Sequence, residues 1–290
     1  MAARVSGDAR WSGRWHSWEV RRRSQAWVGG RSGVRGVSRG LAGLGLVVAL
    51  VVSFSGASAA PPTLTVFAAA DLAFAFRELT PRFGQATGAR VTLVLGSTGN
   101  LAKQIEHGAP ADVFFAANQA FVDDLLAKGA LIAETRTLYA QGRIVLATAR
   151  AAGPKLTALS QLLEPRVRRV AIANPAHAPY GRAAEEALRA AGVWDAVKPK
   201  LVYGENIRHA LQFVESGAAE AGIVALSVAN VPAIDHVPID PALHARLDQA
   251  VAVVRRSARP ELGLAFIQFV NGPEGRPVMK KYGFLLPGEF

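Results

Sequence analysis

The chain is predicted to fold as an α/β protein of two lobes, with largely parallel sheets flanked by helices and a ligand cleft between the lobes. Three observations predict this. From Thr63 onward, short apolar strand patterns alternate with helical ones, the order that builds parallel sheets with helices on both faces. The helical patterns close on glycines, at Gly108, Gly129, Gly192 and Gly217, as helix ends do. Four strand-to-helix junctions are small or polar: Ala70-Asp71, Ser97-Thr98, Pro179-Tyr180-Gly181 and Asn206-Ile207. Ligands in open α/β sheets sit outside the carboxyl ends of the strands, where such junctions lie.

The elements follow in order. Leu64 to Ala68 is an apolar strand, and Asp71 turns into a helix carrying Leu72, Phe76 and Leu79 on one face. Val91 to Leu95 is a strand ending at Gly96, followed by the tip Ser97-Thr98-Gly99-Asn100 and a helix through Leu101 and Ile105. Pro110 prevents its continuation, and Val113-Phe114-Phe115 is the next strand. A helix spans Phe121 to Lys128, a strand Arg143 to Thr148, a helix Leu156 to Leu163, and a strand Val167 to Ala173. A helix from Arg182 to Ala191, an extended Leu201 to Gly204, and a helix from Ile207 capped by Asn206 come next. Ile223 to Leu226 is a buried strand, Val231 to Pro241 a proline-containing loop, and Ala250 to Val254 a strand. Two helices, Glu261 to Asn271 and Pro273 to Tyr282, finish the chain. Residues 61–142 with 250–290 are assigned to one lobe and 143–249 to the other.

Half of the 290 residues are hydrophobic, enough for a sizeable core. The net charge of +11 is concentrated at the start: residues 1–60 hold nine Arg and no Lys against Asp8 and Glu19. The remainder carries 24 basic and 20 acidic groups, so the charge is no nucleic-acid footprint. Residues 1–60 have the parts of an export signal: Arg-rich residues, an apolar run from Leu41 to Phe54, and Ala57-Ser58-Ala59 as a cleavage site, with cleavage near Ala59. The Arg-rich part is long, consistent with translation starting near Val34 or Val37; Arg21-Arg22-Arg23 fits twin-arginine export poorly. No later run is long enough to span a membrane. The chain has no Cys, which excludes disulfides, thiolate metal sites and a Cys nucleophile, and argues against a lipoprotein anchor.

The stretch from Leu93 to Asn118 organises the chain. Its loop, Ser97-Thr98-Gly99-Asn100, sits where a helix begins. There the first N–H groups lack intrahelical partners and the helix dipole is positive, which suits an anion. Alone it reads equally as an ordinary Ser/Thr cap; the other three junctions shift the weight toward a site. No G-x-S-x-G, P-loop, H-E-x-x-H or paired-Glu arrangement is present, so a binding protein is expected rather than an enzyme. The alternatives are an enzyme using Asp71 as general base and a ligand-sensing domain of a transcription regulator. His177 and His209 read as capping or surface residues rather than a metal site. Asp123-Asp124 and Arg255-Arg256 read as solvated.

The motifs V-F-A-A-A-D-L (Val66 to Leu72), G-S-T-G-N-L-A-K-Q-I-E-H-G-A-P-A-D-V-F-F (Gly96 to Phe115), A-N-P-A-H-A-P-Y-G (Ala173 to Gly181), E-N-I-R-H-A-L (Glu205 to Leu211), G-I-V-A-L (Gly222 to Leu226) and K-Y-G-F-L-L-P (Lys281 to Pro287) resemble those of the periplasmic molybdate-binding proteins of ABC importers. The resemblance implies a type II periplasmic-binding fold closed around one tetrahedral oxyanion, molybdate or tungstate. It places Asp71, Thr98, Tyr180 and Ile207 at the ligand positions, with Ala70 and Ser97 sharing the task. It implies no cofactor, no direct metal ligand, an importer membrane subunit as partner, a monomer, and a periplasmic or extracytoplasmic location. Two residues depart from the pattern. Asp71 stands where many members have Ser, and Ala225 where many have Tyr, a loss that Tyr180 could make good. Asp71 reads as an N-cap for its own helix, or as an acceptor for a protonated oxyanion such as hydrogen phosphate. Phosphate and sulfate are therefore the alternative ligands.

Overall fold

The computed structural model describes residues 60–151 and 154–290. The expected export leader and its cleavage site lie outside the described residues. In order, the elements are β1 (Thr63–Ala69), a 3-10 turn (Ala70–Leu72), α1 (Ala73–Thr87), β2 (Arg90–Gly96), α2 (Thr98–Glu106), β3 (Val113–Ala116), α3 (Gln119–Ala127), β4 (Thr137–Gly142) and β5 (Ile144–Ala149). Then come β6 (Val170–Ala173), α4 (Pro179–Ala190), α5 (Trp194–Val197), β7 (Leu201–Gly204), α6 (Ile207–Glu215), β8 (Ala221–Ala225), α7 (Leu226–Ala229), β9 (Ile234–Pro238), β10 (Leu247–Val253), α8 (Pro260–Asn271) and α9 (Gly275–Lys281). The glycines read as helix ends do end helices, at φ 68° for Gly129 and 73° for Gly217, a conformation that costs glycine little.

The strands form two sheets, ordered β2-β1-β3-β10-β4 and β7-β6-β8-β5-β9. Each sheet is mixed but largely parallel, as expected, with four strands pointing one way and one reversed. β1, β2 and β3 are parallel, but β10 is antiparallel to both β3 and β4. Likewise β6, β7 and β8 are parallel, but β5 is antiparallel to β8 and β9. The reason lies in the connections. The chain passes from one sheet to the other between β4 and β5, across Arg143 alone, and returns between β9 and β10. A strand entering from the opposite lobe has no crossover helix behind it and can pair antiparallel.

Besides the short helices α5 and α7, which the sequence reading lacks, three elements differ from it. β4 is a strand of its own, ending at Gly142, where a single strand from Arg143 was expected. β9 occupies the expected proline loop; its Pro238 ends an edge strand, where a missing N–H is tolerated. The expected helix at Leu156–Leu163 is a 3-10 turn, Leu159–Leu163, tied by Gln161 Oε1 accepting from the N–H groups of Thr157 and Ala158.

β3, V-F-F-A, is buried on both faces, as a central strand covered by helices must be. On one face of the first sheet Phe76 meets Phe115 edge-on at 4.9 Å and Phe266 at 5.6 Å between ring centroids, separations at which aromatic pairs add to burial. The second sheet has its own core, built from β5, β6 and β8 with Ala183, Ala187, Leu188, Leu211 and Val214 of α4 and α6. Among the described residues no helix is long and apolar enough to cross a membrane.

Candidate functional site

Four helical segments begin at the carboxyl ends of the parallel strands β1, β2, β6 and β7. β1 and β2 are neighbours in one sheet, and β6 and β7 in the other. Each sheet therefore presents two helix starts along one edge. They converge on a single small pocket lined by Ala70, Asp71, Ser97, Thr98, Tyr180 and Ile207, with Ala69, Gly96, Ala117 and Pro179. All six residues singled out in the sequence are brought together. The free volume is about 10 Å³, about what one water needs.

The lobes touch across this pocket. The Gly99 N–H donates to His177 O at 2.9 Å, which only a glycine allows, since a Cβ at Gly99 would lie 2.8 Å from that oxygen. His177 Nδ1 and Ser97 Oγ share a hydrogen bond at 2.7 Å. Ser227 Oγ donates to Asp71 O at 2.9 Å. His177 is therefore a bridge between lobes rather than a surface residue; burial lowers its pKa from the ordinary value and favours the neutral ring.

Asp71 is not an N-cap. It sits inside the 3-10 turn and no side chain caps that turn or α1. Its carboxylate turns across the cleft instead. Oδ2 accepts from Tyr180 Oη at 2.9 Å and from Gln249 Nε2 at 2.8 Å, and Gln249 Nε2 also donates to Tyr180 Oη at 2.9 Å. Asp71, Tyr180 and Gln249 are all buried. Among the described residues, Asp71 Oδ1, Gln249 Oε1 and, on α6, Arg208 Nη1 are buried without a side-chain hydrogen bond. Burial pushes the Asp71 carboxyl up to about 6, the hydrogen bonds from Gln249 and Tyr180 and the backbone N–H groups of Asp71 and Leu72 offsetting part of the effect. Burial, and then the charge of Asp71, push the Tyr180 and Tyr139 phenols well above their ordinary value, so both keep their protons. Gly142 makes room for this cluster: a Cβ there would stand 2.1 Å from Tyr180 Oη.

The hydroxyl of Thr98 accepts from Ala117 N–H at 3.1 Å, tying the start of α2 to the end of β3. Asn206 caps α6, its Oδ1 accepting from Arg208 and His209 N–H at 3.0 and 3.1 Å, as its position in the sequence predicts. His209 Nδ1 accepts from Glu205 N–H, the capping role expected of it. Among the described residues no group of His, Cys, Asp and Glu is placed to hold a metal ion. Asp123 and Asp124 pair with Arg136 and Lys128 on the surface.

Ala225 is fully buried at the end of β8 but does not line the pocket. Tyr180 does line it, with its hydroxyl engaged by Asp71. Sequence reasoning missed Gln249, Tyr139 and Ser227 and undervalued His177. Gln249 left one signal: a lone amide flanked by the apolar Ala250–Val254 run, in a strand whose centre is otherwise buried and apolar.

Two α/β lobes, joined by two crossings and meeting over one cleft lined by helix starts, are the architecture of type II periplasmic-binding proteins. Residues 64–285 match the family model described as bacterial extracellular solute-binding protein. The chain belongs to that family. It is 34% identical over 233 residues to the molybdate-binding protein ModA of Escherichia coli (strain K12), covering 77% of this chain and 89% of that one. It is 34% identical over 251 residues to the molybdate-binding protein ModA of Azotobacter vinelandii, covering 82% and 96%. The solved Azotobacter vinelandii periplasmic molybdate-binding protein superposes with a TM-score of 0.72 at 29% identity, over 77% of this chain and 99% of that chain. The sulfate-binding protein SubI from Mycobacterium tuberculosis H37Rv shares the fold, with a TM-score of 0.67 at 16% identity, over 78% and 87%.

Proposed function

We propose that this chain is an extracytoplasmic binding protein that captures molybdate, and the similar tungstate, between its lobes and delivers it as a monomer to the membrane subunit of an ABC importer. The observation that carries the reading is the convergence of four helix starts, two from each sheet, on one buried pocket. Backbone N–H groups at Asp71, Thr98, Tyr180 and Ile207, with those of Ala70 and Ser97, are the donors assigned to the anion. Each helix terminus contributes about 0.3–1 kcal/mol when exposed and more when buried, whereas nanomolar affinity needs about 12 kcal/mol. Charge-assisted hydrogen bonds in a closed cleft must supply most of the difference. The names of the relatives support molybdate as the ligand and support binding over catalysis. Asp71 also favours binding over catalysis, since its hydrogen bonds go to Tyr180 and Gln249, which hold it in place. Entry of the oxyanion requires the lobes to open about the two crossings and close again around it.

Titration calorimetry of the purified protein against molybdate, tungstate, sulfate and phosphate tests this. Molybdate and tungstate are expected to bind one per chain, with sulfate and phosphate at least about 100-fold weaker, a difference of about 2.7 kcal/mol. Tight binding of phosphate with indifference to molybdate contradicts it.

A further inference from the structure

We propose that Asp71 enters the oxyanion complex as a neutral acid, so that each bound oxyanion brings one proton into the cleft and Asp71 meets it as a hydrogen-bond donor. The inference rests on the oxyanion reading above and concerns a residue in which this chain departs from the family pattern.

The geometry points to it in three ways. Asp71 lies in the wall of the pocket on which the helix starts converge, and its side chain is buried. A carboxylate and a dianion in one pocket repel, and among the described residues no cation pairs with Asp71. The groups facing Asp71 are the neutral Tyr180 of α4, Tyr139 of β4, Gln249 of β10 and Ser227 of α7. Arg208 of α6 lies 4.7 Å from the Phe74 ring centroid and 3.8 Å from Glu215, with its Nη1 buried and not hydrogen-bonded, and Arg77 of α1 stacks on the same ring; neither pairs with Asp71. His177 bonds to Ser97, with Glu205 and Lys103 beside it, and burial lowers its pKa. Glu78 of α1 pairs with Arg82 and Lys281. Third, the two carboxylate oxygens are used differently. Oδ2 already accepts from two side-chain donors, while Oδ1 has no side-chain partner and the carboxylate has only the backbone N–H groups of Asp71 and Leu72 beside it. A proton taken from solvent therefore belongs on Oδ1, and the new O–H turns an orphaned acceptor into a donor. The carboxyl is already displaced toward protonation by burial alone, and an arriving anion displaces it further in the same direction.

Proton uptake is measured by titrating molybdate into wild type, Asp71→Asn and Asp71→Ser at pH 8 in buffers of different ionisation enthalpy. Wild type should take up about one proton per molybdate, and its affinity should fall about tenfold per pH unit between pH 7 and 8.5, as linkage requires. Both variants should show neither uptake nor that slope. Uptake that persists in both assigns the proton to another group, His177 included, and overturns the proposal. So does a wild type that binds molybdate without uptake, while leaving the oxyanion reading intact. Wild type binding none of molybdate, tungstate, sulfate and phosphate overturns both.

Discussion

At pH 8, Asp71→Asn unfolds at a higher temperature than wild type, and by pH 4 most of the difference is gone. Asp71 is buried, and its carboxyl stands at about 6 in the folded protein against an ordinary value of 3.8, with burial as the main cause. Between those values the native state holds a proton that the unfolded state has released. Stability therefore falls as pH rises through this window and stays low above about 6. Below 3.8 both states are protonated and the penalty vanishes. The displacement corresponds to about 3 kcal/mol, an upper limit for what asparagine recovers at pH 8. For a folded unit of this size each kcal/mol moves the midpoint by about 2–4 °C. Asparagine keeps an acceptor for Tyr180 Oη and Gln249 Nε2 and removes the charge. Thermal scans at the two pH values measure the difference; equal stabilities at pH 8 would show that Asp71 is not held as a strained buried carboxylate.

Gly99→Val abolishes high-affinity binding while leaving each lobe folded. The Gly99 Cα approaches the backbone of His177 so closely that a Cβ would meet His177 O at 2.8 Å and His177 Cα at 3.1 Å. Those are backbone atoms of the opposite lobe, so a larger side chain relieves the clash only by parting the lobes. With the lobes parted, the starts of α1 and α2 cannot act on the anion together with those of α4 and α6. Losing two charge-assisted hydrogen bonds costs about 3–6 kcal/mol, at least 100-fold in affinity. Calorimetry with molybdate reads the loss, and small-angle scattering reads the wider particle. An unchanged dissociation constant would show that the Gly99–His177 contact plays no part in the bound state.

The sequence made the site legible because strand-to-helix junctions carry a local signal. Ser97, Asn206 and Pro179 mark helix starts whatever the fold, and alternation of strands and helices places such starts at one end of a sheet. The partners of those residues were not legible. Asp71 reads as a cap because Asp before a helical pattern usually is one; only the fold shows Tyr180 and Gln249, 109 and 178 residues away in the chain, arriving at its carboxylate. β9 was hidden for a related reason. Its sequence, I-D-H-V-P, has no strong strand signal, and it forms an edge strand by pairing with β5. The antiparallel direction of β10 and β5 follows from where the chain crosses between sheets, a property of topology that no local pattern encodes.

The central claim is that one oxyanion is held by helix starts from both lobes, and anomalous scattering at the molybdenum edge from crystals grown with molybdate tests it most directly. The account predicts a single molybdenum peak per chain in the pocket lined by Asp71, Thr98, Tyr180 and Ile207, its oxygens about 2.7–3.2 Å from backbone N–H groups of both lobes. A peak outside this pocket, or an oxyanion bound by the helix starts of one lobe alone, would contradict it.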